Sequence, residues 1–146
     1  MKWHSLNSGT SHEMYELSEN EEKLLSLSYH PATSVVRIIQ ENEKRIFLLG
    51  REGFLRNRVV LRNEYGIRLS QVVRENNLEN EGILTIKNLK YRFTIQKDLK
   101  NVLSLYDVVT DERIMRCEFP DLRAGSATND ILLLGLSWYL MQGVTA

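Results

Sequence analysis

Between Asn88 and Gln96 apolar and polar residues alternate without a break: Leu89, Tyr91, Phe93 and Ile95 in one set, Lys90, Arg92, Thr94 and Gln96 in the other. A period of two sends successive side chains to opposite faces of a pleated strand. The segment therefore predicts a strand with one face on a core and the other in water. Leu25, Leu27 and Tyr29 repeat the pattern, as do Ile67, Leu69 and Val73 after Gly66, and Val59 and Leu61 between Arg58 and Arg62. Half-buried runs of this kind belong to antiparallel sheets. Breaks at 41–43, 50–53, 63–66, 76–82, 98–101 and 110–112 carry residues that tolerate tight turns. With the weaker runs Lys2–Leu6 and His12–Ser18, the count comes to about eleven strands, and no helix-length amphipathic pattern interrupts them before Phe119.

After Pro120 the pattern changes. Residues 121–130 are mostly polar, and Ile131–Ala146 contains no charged residue. Ser126, Thr128, Asn129 and Asp130 are candidate N-caps for a helix over about 128–143. On a helical wheel Leu132, Leu133, Leu134, Leu136, Trp138, Tyr139, Leu140 and Met141 occupy the whole circumference, and a helix apolar all round is buried on all sides. It would be roughly 24 Å long at 1.5 Å per residue, which matches the roughly 20 to 26 Å span of strands of six to eight residues. Barrels of about eleven or twelve strands leave room along the axis for such a helix. The expectation is a single mostly β domain over residues 1–146: a closed or nearly closed antiparallel barrel of about 11–12 strands around a buried hydrophobic C-terminal helix. The apolar run falls short of the roughly 17 to 25 residues that cross a bilayer.

The string of short antiparallel strands, followed by Asn129-Asp130-Ile131-Leu132-Leu133-Leu134-Gly135-Leu136, resembles the superfamily of tubby C-terminal domains, phospholipid scramblases and LURP-one-related plant proteins. The resemblance covers nearly the whole chain and implies a binding module for phosphoinositides or other anionic lipid headgroups. The sequence lacks an acidic Asp-x-Asp loop of the kind a calcium-responsive scramblase needs, and its length fits a compact, minimal member.

Charge alters the picture in one respect. Nineteen Lys and Arg balance nineteen Asp and Glu, so no net field attracts nucleic acid over a distance, and none is expected as a partner. Cys117, the single cysteine, excludes an internal disulfide and multi-cysteine zinc frameworks. It shares a strand face with Met115 and Phe119, which makes it a small core residue rather than a nucleophile. His4, His12 and His30 lack metal-ligand spacing. Asp107, Asp111 and Glu112 flank a turn, where charged hairpin tips are commoner than catalytic dyads. No phosphate-binding loop and no Gly-x-Ser-x-Gly elbow is present. The reading is a non-enzyme without cofactor or metal, cytoplasmic or peripheral to a membrane, there being no apolar h-region behind Lys2.

One stretch stands out as a candidate ligand site: Arg51, Phe54, Arg56 and Arg58, with Phe54 and Leu55 framed by arginines at a turn. An apolar tip in a basic frame suits an anionic lipid surface or a protein partner. Arg62 and Arg68 extend it if they fall on the same face. Against this stands the plainer arrangement in which Phe54 and Leu55 face the core. Arg outnumbers Lys twelve to seven, and a guanidinium suits multidentate phosphate contact. A protein-interaction or scaffold domain is the alternative function, and a barrel-cavity carrier or enzyme the third, disfavoured because the helix would occupy the cavity.

Overall fold

The computed structural model describes residues 1–7, 12–53, 58–74, 80–120 and 126–144. Eleven strands precede one helix: β1 (Lys2–Asn7), β2 (Glu13–Glu19), β3 (Glu22–His30), β4 (Val35–Gln40), β5 (Glu43–Glu52), β6 (Arg58–Asn63), β7 (Arg68–Arg74), β8 (Glu81–Ile86), β9 (Leu89–Lys97), β10 (Asn101–Asp107), β11 (Arg113–Phe119) and α1 (Ser126–Val144). Each strand from β1 to β11 pairs antiparallel with the next in sequence, and β1 then meets β11 to close the barrel. An up-and-down meander with an odd number of strands returns to its start pointing the same way. The closing pair is therefore parallel, with Lys2 opposite Glu118 and the Glu118 amide donating to the Met1 carbonyl at 3.0 Å.

The period-two pattern is what fixes the inside. In β9 Phe93 and Ile95 are buried, in β3 Leu25 and Leu27, in β6 Val59 and Leu61, and in β11 Met115, Cys117 and Phe119. Tight links between strands use residues with positive φ, among them Asn20 (52°) and Glu21 (67°) in the two-residue β2–β3 turn, the left-handed geometry that matches the twist of a hairpin.

Side chains of β1, β3, β5 and β7 meet α1. Gly135 lies under Trp3 of β1 and Leu27 of β3. Ser137 Oγ donates to the Leu134 carbonyl at 2.6 Å and is hydrogen-bonded to Ser70 Oγ of β7 at 2.8 Å, and Trp138 packs on Phe47 of β5 with ring centroids 5.0 Å apart. Every residue from Asn129 to Trp138 is buried. The helix is thus the axial filling of the barrel, one turn longer than the 128–143 span that the apolar run predicts. Gly135 is required by packing: a Cβ there would come within 2.8 Å of Leu27 Cδ1 and 3.0 Å of the Trp3 ring. Gly82 in β8 does the same for Phe93, whose ring carbons would lie 2.8 Å from an added Cβ. Among the described residues no helix is long and apolar enough to cross a membrane.

Candidate functional site: an arginine face on β5–β8

The pleat assigns side chains of the wall to two sides. Since Phe47, Val59, Leu61 and Val72 belong to the core, Leu48, Gly50 and Glu52 of β5, Arg58, Val60 and Arg62 of β6, and Gln71 of β7 point outward, although Val60 is itself covered and fully buried. On that outer face Glu52 collects two arginines. Arg62 donates to both of its carboxylate oxygens, at 3.0 and 3.2 Å, and Arg68 adds a third bond at 3.2 Å. Arg68 also donates to Gln71 Oε1 at 3.1 Å. Arg58 sits directly across from Glu52 in the β5–β6 register, and its buried Nε has no hydrogen-bond partner among the described residues. A bidentate Arg–carboxylate contact holds the guanidinium plane in one orientation, so Glu52 presents Arg62 and Arg68 as a fixed pair. Beside them a small cleft of about 160 Å³ is lined by Arg68, Gln71, Thr85 and Lys87, among others.

Of the residues singled out from the sequence, the structure brings Arg58 into this face together with Arg62 and Arg68. Phe54 and Arg56 lie outside the described residues. Arg51 belongs to the other side of the wall. It follows Leu49 at the strand period, turns inward, and places Nη2 4.0 Å from Oδ2 of Asp130. Arg51 and Arg58 therefore do not share a surface.

Asp130 is the charged group that sequence reading missed as a partner. It is 1% exposed, on the second turn of α1, and Arg74 of β7 donates to its Oδ1. Burial pushes its carboxyl above the ordinary carboxylate range, against the opposing pull of Arg74, by charge and hydrogen bond, and of Arg51. Desolvation therefore outweighs attraction in this cluster, the usual balance for a buried ion pair. A signal was available: Arg51 and Arg74 stand two residues beyond the inward-facing Leu49 and Val72, where a lone inward cation requires a counter-ion, and Asp130 is the last acid before the uncharged run.

The remaining titratable candidates have structural employment. Asp107 Oδ1 accepts from the Val109 and Thr110 amides at 2.8 and 3.0 Å, and Asp111 pairs with Arg92 at 2.8 Å. His12 and His30 stack at 5.3 Å, and His30 Nε2 lies 3.3 Å from Arg37 Nη1. Cys117 is fully buried, and burial pushes its thiol up to about 12, which keeps it un-ionised and unreactive near neutral pH. Among the described residues no three His, Cys, Asp or Glu converge as metal ligands.

The chain matches no family model, no curated protein and no solved structure.

Proposed function

We propose that the protein is a non-catalytic binding module that takes a phosphate-bearing ligand, an anionic lipid headgroup, on the outer face of β5–β8. The observation that carries this reading is the Arg62–Glu52–Arg68 arrangement, in which one carboxylate fixes two guanidinium groups beside Arg58. Guanidinium forks match phosphate oxygens in planar, paired fashion, and a bound phosphate would take over the donors that Glu52 now occupies. Thr85 and Lys87, beside Arg68, add a hydroxyl and a further cation to the same rim. Phe54 and Arg56, which fall between β5 and β6 in the sequence, are included as residues that meet the lipid surface. The axial helix supports a surface rather than an interior site, because it occupies the space a carrier would keep open. The resemblance to the tubby superfamily agrees with this assignment.

Flotation with vesicles containing acidic phospholipid, against vesicles of neutral lipid alone, is the test. Wild type floats with the acidic vesicles, and binding falls as salt is raised, since surface attraction is screened within about 8 Å at physiological ionic strength. Arg62→Glu/Arg68→Glu abolishes flotation, and Phe54→Ala or Arg56→Glu weakens it. Inorganic phosphate as competitor separates free anion from headgroup: displacement at low concentration means that the phosphate alone is recognised. Failure of wild type to float, or equal flotation of the Arg62/Arg68 variant, removes this function.

A further inference from the structure

Next to the arginine face, the outer wall of β4 and β5 is unusual for a surface in water. Where β4 and β5 are paired, the outward positions are Val35, Arg37 and Ile39 on β4 and Lys44, Ile46 and Leu48 on β5, since Val36, Ile38 and Phe47 between them are core. Every one of these outward residues is either aliphatic or cationic. Ile39, Ile46 and Leu48 are 44%, 42% and 44% exposed. The register makes them contiguous: Ile46 precedes Leu48 by one pleat, and Ile39, paired with Lys44, is the diagonal neighbour of Ile46. They form a diagonal apolar strip. Arg37 lies on one side of it, across from Ile46, and on the other side lie Lys44 and, across from Leu48, Arg62. The turn after β6 continues the apolar character with Tyr65 and Ile67, which are 81% and 57% exposed.

Charge selects the occupant. Among the described residues neither Arg37 nor Lys44 takes part in an ion pair, and the Nε of Arg37 is buried without a hydrogen-bond partner. Glu52, the carboxylate on the outward positions of β4–β6, is already matched by Arg62 and Arg68. The face therefore offers an apolar centre within unmatched cations. We infer that it docks an acidic amphipathic segment of a protein partner, with apolar residues on the Ile39–Ile46–Leu48 diagonal and carboxylates meeting Arg37 and Lys44. A second copy of this chain would set the cationic rim against itself. A bilayer calls for apolar side chains that protrude, whereas these three are half covered by their sheet neighbours. Arg-edged apolar patches poor in acidic residues are the anatomy of protein interfaces.

The inference does not depend on the headgroup reading, and one experiment separates them. A displayed library of random peptides is selected on the full chain, and the enriched peptides are measured against wild type, Ile46→Glu/Leu48→Glu, Arg37→Glu/Lys44→Glu and Arg62→Glu/Arg68→Glu. Enriched peptides should alternate acidic and apolar residues, lose at least tenfold in affinity on each of the first two variants, and shift the amide resonances of β4 and β5 in wild type. Folding of the variants is checked by melting, and Ile46→Thr/Leu48→Thr, which removes apolar contact without adding charge, should show the same loss in smaller degree. Enrichment of basic peptides, affinity unchanged in the β4–β5 variants, or no enrichment overturns the inference. Acidic-vesicle flotation lost in Ile46→Glu/Leu48→Glu, or a concentration-dependent dimer lost in it, assigns the strip to lipid or to self-association and overturns it equally. Loss of flotation in the Arg62/Arg68 variant alone leaves it standing.

Discussion

At its N-terminal end α1 sets Asp130 against Arg74 and Arg51, while toward its C-terminal end it sets Trp138 against Phe47, with Arg45 over the indole at 5.2 Å. Both ends use arginines of the inner wall, yet for opposite reasons. At the first, the cations compensate a carboxylate that burial penalises, so the cluster fixes where the helix sits while adding little net stability. At the second, two aromatic rings supply apolar area and the guanidinium covers them. Position is set by charge at one end, and stability by packing at the other.

The largest effects should come from breaking each end separately. Trp138→Ala should cost about 3 to 5 kcal/mol in urea unfolding, as deletions of buried aromatics do. Arg74→Met should cost a similar amount, about 3 to 5 kcal/mol, because it strands a buried carboxylate. The comparison is decided by the double replacement: Arg74→Met/Asp130→Leu should return to wild-type stability or exceed it, whereas no second change at Phe47 rescues Trp138→Ala. If Arg74→Met and the double variant are equally unstable, the ion cluster is a source of stability and the contrast between the ends fails.

Midway between the ends, Gly135→Ala pushes a methyl into Leu27 and Trp3 and should cost about 1 to 3 kcal/mol, read as a lowered urea midpoint at unchanged slope. Smaller still is Arg45→Ala, at about 0.5 to 1 kcal/mol for a partly exposed cation–π contact. A loss above that of Gly135→Ala would give the C-terminal end an electrostatic component after all. At neutral pH the smallest effect belongs to Cys117. Its thiol ionises near 9.0 when unfolded but is pushed up to about 12 in the fold, so the folded state holds the proton more tightly. The contribution of Cys117 to stability should be constant below pH 9 and decline as pH rises from there toward 12, so that the alkaline decline is reduced in Cys117→Ala. Cys117 should also resist thiol reagents until the protein unfolds.

Much of this architecture was legible from residue order. Alternation in Leu89–Gln96 and around Leu25 and Val59 places the core face correctly, because in a sheet with one dry side a period of two admits one register. In β7 the core face is Ser70 and Val72, not the Ile67, Leu69 and Val73 set that the alternation suggested, because the strand is paired across an irregularity between Leu61 and Arg62. Ile131–Met141 declared a helix buried all round, because no polar face exists for water to take. Neither pattern contains strand order or the sense of the closing pair, which depends on Lys2 meeting Glu118 across the whole chain. The site was less legible. That Arg62 and Arg68 converge on Glu52 follows from the β5–β6–β7 registers, and an irregularity between Leu61 and Arg62 adjusts the last of these. Linear spacing groups Arg51 with Arg58, whereas the pleat sends Arg51 inward to Asp130. The apolar strip escaped notice because Ile39, Ile46 and Leu48, taken singly, are ordinary strand residues. Only pairing makes them neighbours.

The meander carries a consequence for how the chain is made. Each strand's partners are its neighbours in sequence, so ten hairpin pairings can form as synthesis proceeds, at small loop-closure cost. Two events cannot: closure of β1 on β11, and insertion of α1, which follows every strand. Until then a ribosome carries a curled, open sheet whose inner face of Leu, Ile, Val and Phe has nothing to cover it, and such surfaces are aggregation-prone. Stalled or truncated products ending before Ile131 should therefore be chaperone clients or inclusion-body material, while a chain that includes α1 closes over that helix.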